Sequence, residues 1–268
     1  MFNKRITIIG GGNLGGAIAR GLLKSELVKA EQLTVTRRRV RLLSELKEMR
    51  VNVSSDNLEA TAGSDIIVLA VKPYQVFDII NSIMPNLSKD KIVISVVAGI
   101  GLNALTSALG EDIPLFRAMP NTAIALQESM TCISFEKKWE EHKELVQQIF
   151  DQLGQTAEIP EDLMGSATVL GSCGIAFALR FIRAAMQGGV EIGFGAELAQ
   201  KITAQTVKGA TELILNTGHH PEREIDKVTT PRGITISGLN EMEHQGFSSS
   251  LIQGLITSFN KIERENQD

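Results

Sequence analysis

Short apolar runs alternate with helical stripes through the first 160 residues of this chain, and beyond that only helical stripes continue. The chain opens on Ile6-Thr7-Ile8-Ile9, a β-branched run suited to a buried strand. Ala17, Ile18, Gly21 and Leu22 then recur at helical spacing. Leu33-Thr34-Val35-Thr36 reads as a second strand and residues 40–49 as the helix after it. Ile66-Ile67-Val68-Leu69-Ala70-Val71 is unbroken apolar sequence, the texture of a strand covered on both faces. It stops at Lys72-Pro73, where proline removes a ladder donor. A helix over 76–84, a strand over 91–97, a helix over 102–109 and a strand over 114–122 continue the alternation. Strands over 131–135 and 156–159 flank a helix over 139–153. Alternation at this pitch predicts an α/β fold with a doubly wound parallel sheet.

After Pro160 the texture changes. Residues 163–187 predict a long apolar helix, 196–216 an amphipathic one ending at Gly218, and 247–262 a third. The boundary is therefore expected at 160/161, giving domains 1–160 and 161–268, the second all-helical. Leu198, Ala199, Ile202, Val207, Ala210, Leu213 and Ile214 share one side, and Leu251, Ile252, Leu255, Ile256, Phe259 and Ile262 form another stripe. That is more apolar helix surface than one small bundle buries, so a homodimer or larger assembly through these helices is expected.

Composition narrows the function classes. A formal charge of −4 gives no basic balance for nucleic acid or an anionic membrane. Met-Phe-Asn-Lys-Arg runs directly into the first strand, leaving no room for a signal peptide. Residues 164–179 are uncharged, yet too short and too rich in Gly and Ser to predict a membrane span. Cys132 and Cys173 form no paired motif and are expected as reduced thiols of a cytoplasmic protein. His142, His219, His220 and His244 lack metal-ligand spacing, so no metal is expected.

The chemistry-bearing stretch follows the first strand. Gly10-Gly11-Gly12-Asn13-Leu14-Gly15 fits G-x-G-x-x-G between a strand and a helix, the phosphate-binding turn of a Rossmann-type sheet. Gly10 permits the tight turn, Gly12 lets backbone approach a pyrophosphate, and Gly15 lets helix pack on strand. Asn13 and Leu14 open the helix whose free N–H groups face the phosphates. At the end of the second strand, where an acid would hold a ribose 2′-hydroxyl, stand Arg37-Arg38-Arg39. Arg37 and Arg38 suit a 2′-phosphate, so NADPH is the expected cofactor and NADH a poorer alternative; Arg39 opens the next helix. Ala70, Val71, Lys72, Pro73, Ala98 and Asn121 fall at the carboxyl ends of later strands, where such sheets bind ligands. Lys72 reads equally as a solvated strand-end charge. Val228-Thr229-Thr230-Pro231-Arg232-Gly233-Ile234-Thr235-Ile236-Ser237-Gly238-Leu239 leads hydroxyls and a proline into a helix start. It suits a small carboxylate, or equally a Ser/Thr-rich capping loop.

These pieces together, with Ala98-Gly99-Ile100, Arg117-Ala118-Met119-Pro120-Asn121-Thr122 and Gly171-Ser172-Cys173-Gly174, resemble pyrroline-5-carboxylate reductase in order and spacing along essentially the whole chain. The resemblance implies reduction of 1-pyrroline-5-carboxylate, a small cyclic imine, to L-proline by NADPH in a homo-oligomer. It implies that Thr235 hydrogen-bonds the substrate ring nitrogen and acts in catalysis. Thr230, Gly233 and Ile234 would surround the carboxylate, Asn57 would hold the adenosine ribose, and Lys72, Pro73 and Ala98 would line the nicotinamide pocket. The chain departs from the family pattern at Cys173, Ile175, Phe177, Arg183 and Arg232, around the substrate. Three other readings stay open. A β-hydroxyacid dehydrogenase would carry a lysine in the first helix after the sheet, and residues 163–195 contain none. A related imine reductase fits the departures. A non-catalytic NADP-binding sensor would have no need of the 230–235 loop.

Overall fold

The computed structural model describes residues 2–265. In the first half, strands β1 (Ile6–Ile9), β2 (Leu33–Thr36), β3 (Asn52–Ser54) and β4 (Ile66–Leu69) alternate with helices α1 (Asn13–Lys24), α2 (Ser44–Glu48) and α3 (Asn57–Ala62). Next come α4 (Val76–Ile83), β5 (Ile92–Ser95), α5 (Leu102–Leu109), β6 (Leu115–Met119), β7 (Ser129–Phe135), α6 (Lys143–Asp151) and β8 (Gly154–Glu158). Among the described residues, eight strands form one sheet in the order β3-β2-β1-β4-β5-β6-β7-β8. The order reverses direction between β1 and β4, the switch point where such sheets leave a crevice at their carboxyl edge.

The sheet is parallel except at β6–β7. The nine-residue link from Met119 to Ser129 is too short for a crossover, so the chain turns back on itself. Two elements escape the pattern. β3 has one apolar residue in three, and α3 is six residues opened by Asp56, whose side chain accepts from Glu59 N–H. The helix expected over 40–49 is a 3₁₀ turn, Val40–Leu43, followed by the short α2.

Both sheet faces are covered. Ile6, Ile8, Val35, Phe116 and Ala118 pack with Ile18 and Leu22 of α1 and with Ile149 and Phe150 of α6. Ile9, Ile67, Leu69, Val93 and Leu115 pack with Ile80 and Ile83 of α4 and Leu105 of α5. Alternation of side chains along each strand divides the two sets.

The long apolar helix expected over 163–187 is three pieces: α7 (Met164–Ala167), a π-helical segment (Thr168–Cys173) and α8 (Gly174–Glu191). They are followed by α9 (Ala196–Thr217), α10 (Pro221–Lys227), α11 (Ile234–His244) and α12 (Phe247–Glu265). Gly218 caps α9 at φ 64°, as its position predicts. Packing divides the chain into two compact units: residues up to Cys173 with those from Phe259 onward, and Gly174–Ser258. The division lies thirteen residues beyond the change in sequence texture at 160/161, because Glu161 and the π-helical segment bond back to the sheet's own loops. In the second unit α8 and α9 meet where a side chain on Gly189 would press on Ala199. Phe181 and Phe247 sit edge to face at 6.2 Å. By length and composition alone, helix Glu161–Glu191 contains an 18-residue stretch apolar enough to cross a membrane, with mean hydropathy 1.5. Only 6% of that stretch is buried. The uncharged run 164–179 ends at Arg180, and Arg183 follows within the same helix.

Candidate functional site

The turn after β1 is built by two backbone contacts that exclude a side chain. Gly10 has φ +105°, and a Cβ there would lie 2.4 Å from the Ala70 carbonyl oxygen. At Gly15 it would lie 2.2 Å from the Gly10 oxygen, so α1 can start this close to β1 only with glycine. The Gly10 and Gly11 amides both donate to the Thr36 carbonyl, at 3.1 and 2.7 Å, tying the turn to the end of β2. A Cβ on Gly12 would meet nothing within 4 Å, so that side of the turn is open. The first helical bond is Gly16 N–H to Gly12 O at 2.9 Å. The amides of Asn13, Leu14 and Gly15 therefore have no intrahelical acceptor, and α1 has neither a side-chain cap nor an acid in its first turn.

Arg37 reaches back over this turn, its Nη1 donating to the Gly11 carbonyl at 2.9 Å. Arg38 is exposed beside it, and Arg39 stands at the start of the 3₁₀ turn 40–43, the helix-opening role expected of it. Asn57 opens α3, and its Oδ1 accepts from Thr36 Oγ1 at 2.6 Å, which orients its amide N–H groups. Ala70-Val71-Lys72-Pro73 leaves β4 at the same edge, with Ala70 N–H bonded to Ile9 O at 2.8 Å. Ala98 is exposed beyond β5. The carboxyl edge thus gathers Gly10, Gly12, Asn13, Leu14, Gly15, Arg37, Arg38, Asn57, residues 70–73 and Ala98 on one rim. Free amides beside an open glycine, with the Arg37 guanidinium over the turn and exposed Arg38 next to it in the chain, fit the pyrophosphate and 2′-phosphate of NADPH.

Asn121 belongs to this edge but is buried, and its side chain is largely committed to the protein. Oδ1 accepts from Ala123 N–H at 3.0 Å, and Nδ2 donates to the Gly171 carbonyl of the π-helical segment at 3.2 Å. The sequence gives Arg117 and Glu161 no part, although a charge inside the apolar strand Leu115–Met119 is a signal in itself. Cys132 lies partly buried on β7, and burial pushes its thiol up, toward the protonated form.

The residues expected around the substrate gather in the second unit, at the start of α11. Gly233 N–H donates to Thr230 O at 2.9 Å, closing a turn with Pro231 second and Arg232 third, at φ 60°. The Gly233 amide is engaged within this turn. The glycine also serves shape, since a Cβ would lie 2.6 Å from Thr230 Oγ1. The amides of Ile234 and Thr235 begin α11 without an intrahelical acceptor, and Thr230, Ile234 and Thr235 are exposed. Beneath the turn, Thr229 Oγ1 donates to Ile225 O of α10 at 2.8 Å. α10 in turn carries Glu224, whose carboxyl Lys227 and His219 hold below the usual carboxylate range.

Comparison with known proteins gives two family matches. The family described as pyrroline-5-carboxylate reductase dimerisation matches residues 161–265, and that described as coenzyme F420-dependent NADP oxidoreductase matches residues 5–99. Pyrroline-5-carboxylate reductases 1 and 2 of Dictyostelium discoideum are 43% and 46% identical to this chain, each over 97% of it. The chain spans 92% of the second relative but 50%, about half the length, of the first. A crystal structure of Plasmodium falciparum pyrroline carboxylate reductase with NADP bound matches at a TM-score of 0.91, with 28% identity over 99% of both chains.

Proposed function

The chain belongs to the pyrroline-5-carboxylate reductase family, and we propose that it reduces 1-pyrroline-5-carboxylate to L-proline with the sheet edge holding NADPH and the start of α11 holding the substrate. The reading is carried by the glycine turn, where a side chain on Gly12 would meet nothing within 4 Å, the amides of Asn13, Leu14 and Gly15 have no intrahelical acceptor, and Arg37 bonds back to Gly11. Residues 1–160 serve the cofactor; residues 161–268 serve the substrate and a second copy of the chain, making a homo-oligomer.

The amides of Asn13, Leu14 and Gly15 receive the pyrophosphate, Arg37 and Arg38 the 2′-phosphate, and Asn57 the adenosine ribose. Residues 70–73, Ala98 and the backbone at Asn121 wall the nicotinamide end. When bound, NADPH supplies the hydride for the imine carbon. The protein's contribution is orientation, since an imine protonated in solution needs no strong acid from the chain. The Ile234 amide and Thr230 hydroxyl hold the carboxylate. The Thr235 hydroxyl bonds the ring nitrogen, donating or accepting as that atom's protonation requires. Both cysteines are free thiols, which suits a reducing compartment such as the cytoplasm.

The test is oxidation of NADPH by the purified chain with 1-pyrroline-5-carboxylate, the product being identified as proline. Turnover with NADPH well above that with NADH is expected, and Thr235→Ala should lower kcat/KM about tenfold or more. Tight NADPH binding without turnover of this imine would sink the substrate assignment.

A further inference from the structure

Arg117 lies mid-strand in β6, 6% exposed, on the sheet face that α4 and α5 cover, since Leu115 packs there and Phe116 and Ala118 face the other way. Its partner is Glu161, the first residue after Pro160. Arg117 Nη1 donates to Glu161 Oε1 at 2.5 Å, and the same oxygen accepts from the backbone N–H of Leu102 at 2.9 Å. Arg117 Nε and Glu161 Oε2 are buried and left without partners.

A guanidinium and a carboxylate this close would ordinarily pair through two bonds, satisfying both orphaned atoms. Here one oxygen is shared between the arginine and the first amide of α5, and the better pairing is forgone. The carboxylate is therefore aimed by Leu102 as much as by Arg117. Leu102 ends the loop 98–101, whose other end is fixed by buried Val97. Between these fixed points Gly99 takes φ +78°, and Ala98 is exposed at the carboxyl edge.

We infer that Glu161, seated on Arg117, is a positioning residue: by holding the Leu102 amide it sets loop 98–101 against the nicotinamide end of the cofactor. This rests on the reading above that Ala98 lines that end. The glycine turn, Arg37 and Arg38, which serve the adenosine end, have no bond to Glu161. Its loss should therefore act on one end of the cofactor and spare the other.

The experiment compares Glu161→Ala with Glu161→Gln in the full-length chain. NADPH affinity, affinity for adenosine 2′,5′-bisphosphate (which lacks the nicotinamide), and kcat are measured. Glu161→Ala should lower kcat about tenfold or more, because sub-ångström placement of the reacting carbons is lost. Affinity for adenosine 2′,5′-bisphosphate should stay within about twofold of the parent. Glu161→Gln keeps an acceptor for Leu102 N–H and should recover most of the lost kcat. Unchanged kcat and NADPH affinity in a folded Glu161→Ala overturn the inference. So does an equal loss of adenosine 2′,5′-bisphosphate, which marks general damage. Should Glu161→Ala not fold, amide exchange in the parent decides: protection at Leu102 supports the clamp, and exchange at the rate of an open loop overturns it. If the parent chain fails to reduce the imine, the reading of function fails, while the two affinities and the Leu102 exchange still test the clamp.

Discussion

The two units solve the problem of burying apolar surface differently. The sheet unit closes its core within one chain: Phe116, Phe150, Leu33 and Ile80 are fully buried between sheet and helices. In the helical unit, Ala199 is the buried apolar side chain among the described residues, while Ile192 is 77%, Leu215 71% and Ile252 52% exposed. Hydrophobic side chains lining helices in such numbers stabilise nothing while they face water. The difference teaches where each unit's stability comes from. The sheet unit buries its own core, whereas the helical unit leaves apolar stripes exposed, which the proposed homo-oligomer would cover with a second copy.

The largest effect should come from charging the open face. Ile252→Glu is expected to lower the mass seen by light scattering and to lower proline formation more than tenfold, because a charge on this stripe would disrupt the proposed contact with a second copy. Met84→Lys, a comparably exposed apolar position on the sheet unit, should change stability by no more than about 0.5 kcal/mol. An Ile252→Glu chain that keeps its mass and activity would show that another face joins the copies.

A smaller effect separates two glycines within one turn. Gly15→Ala forces a methyl into the Gly10 carbonyl and should cost about 1–3 kcal/mol of stability by denaturant unfolding. Gly12→Ala meets no protein atom, so stability should hold within about 0.5 kcal/mol. There the loss should appear in NADPH affinity, about tenfold or more, measured by titration. Equal effects of the two changes on stability would mean that Gly12 is also structural.

The same contrast explains what the chain's pattern reveals. In the sheet unit local pattern and burial coincide, so strands such as Ile66–Leu69 and the roles of Gly10 and Gly15 are legible from spacing alone. β3 and α3 are not, because three and six residues hold too little periodicity and are fixed by neighbours, through Thr36–Asn57 and Asp56–Glu59. The antiparallel β7 depends on a link length that composition does not weigh. At the site, residue types at the turn and after β2 point to a phosphate-bearing cofactor. The engagement of Asn121 with Gly171 and the sharing of Glu161 between Arg117 and Leu102 are tertiary facts, and of these only the charge of Arg117 inside an apolar strand leaves a local signal.

The two units also differ in how they use left-handed backbone. Among the described residues of the sheet unit, the non-glycine residues at positive φ are Glu26, Arg50 and Gln127, each just where a helix ends and such a residue closes the last turn. Arg232 in the helical unit instead precedes a helix, as the third residue of a turn whose second is Pro231. That is a type II turn, where glycine is preferred because a Cβ crowds the backbone at positive φ. Arg232→Gly removes that crowding but also loosens the unfolded chain, and the two effects oppose one another. The strain relieved, about 1–2 kcal/mol, exceeds the entropic loss of about 0.4–1 kcal/mol. Stability should therefore rise by about 1 kcal/mol or less, seen as a few degrees in Tm. A fall in Tm would mean that the Arg232 side chain makes contacts worth more than the strain, and that the loop is held by its arginine rather than merely tolerating it.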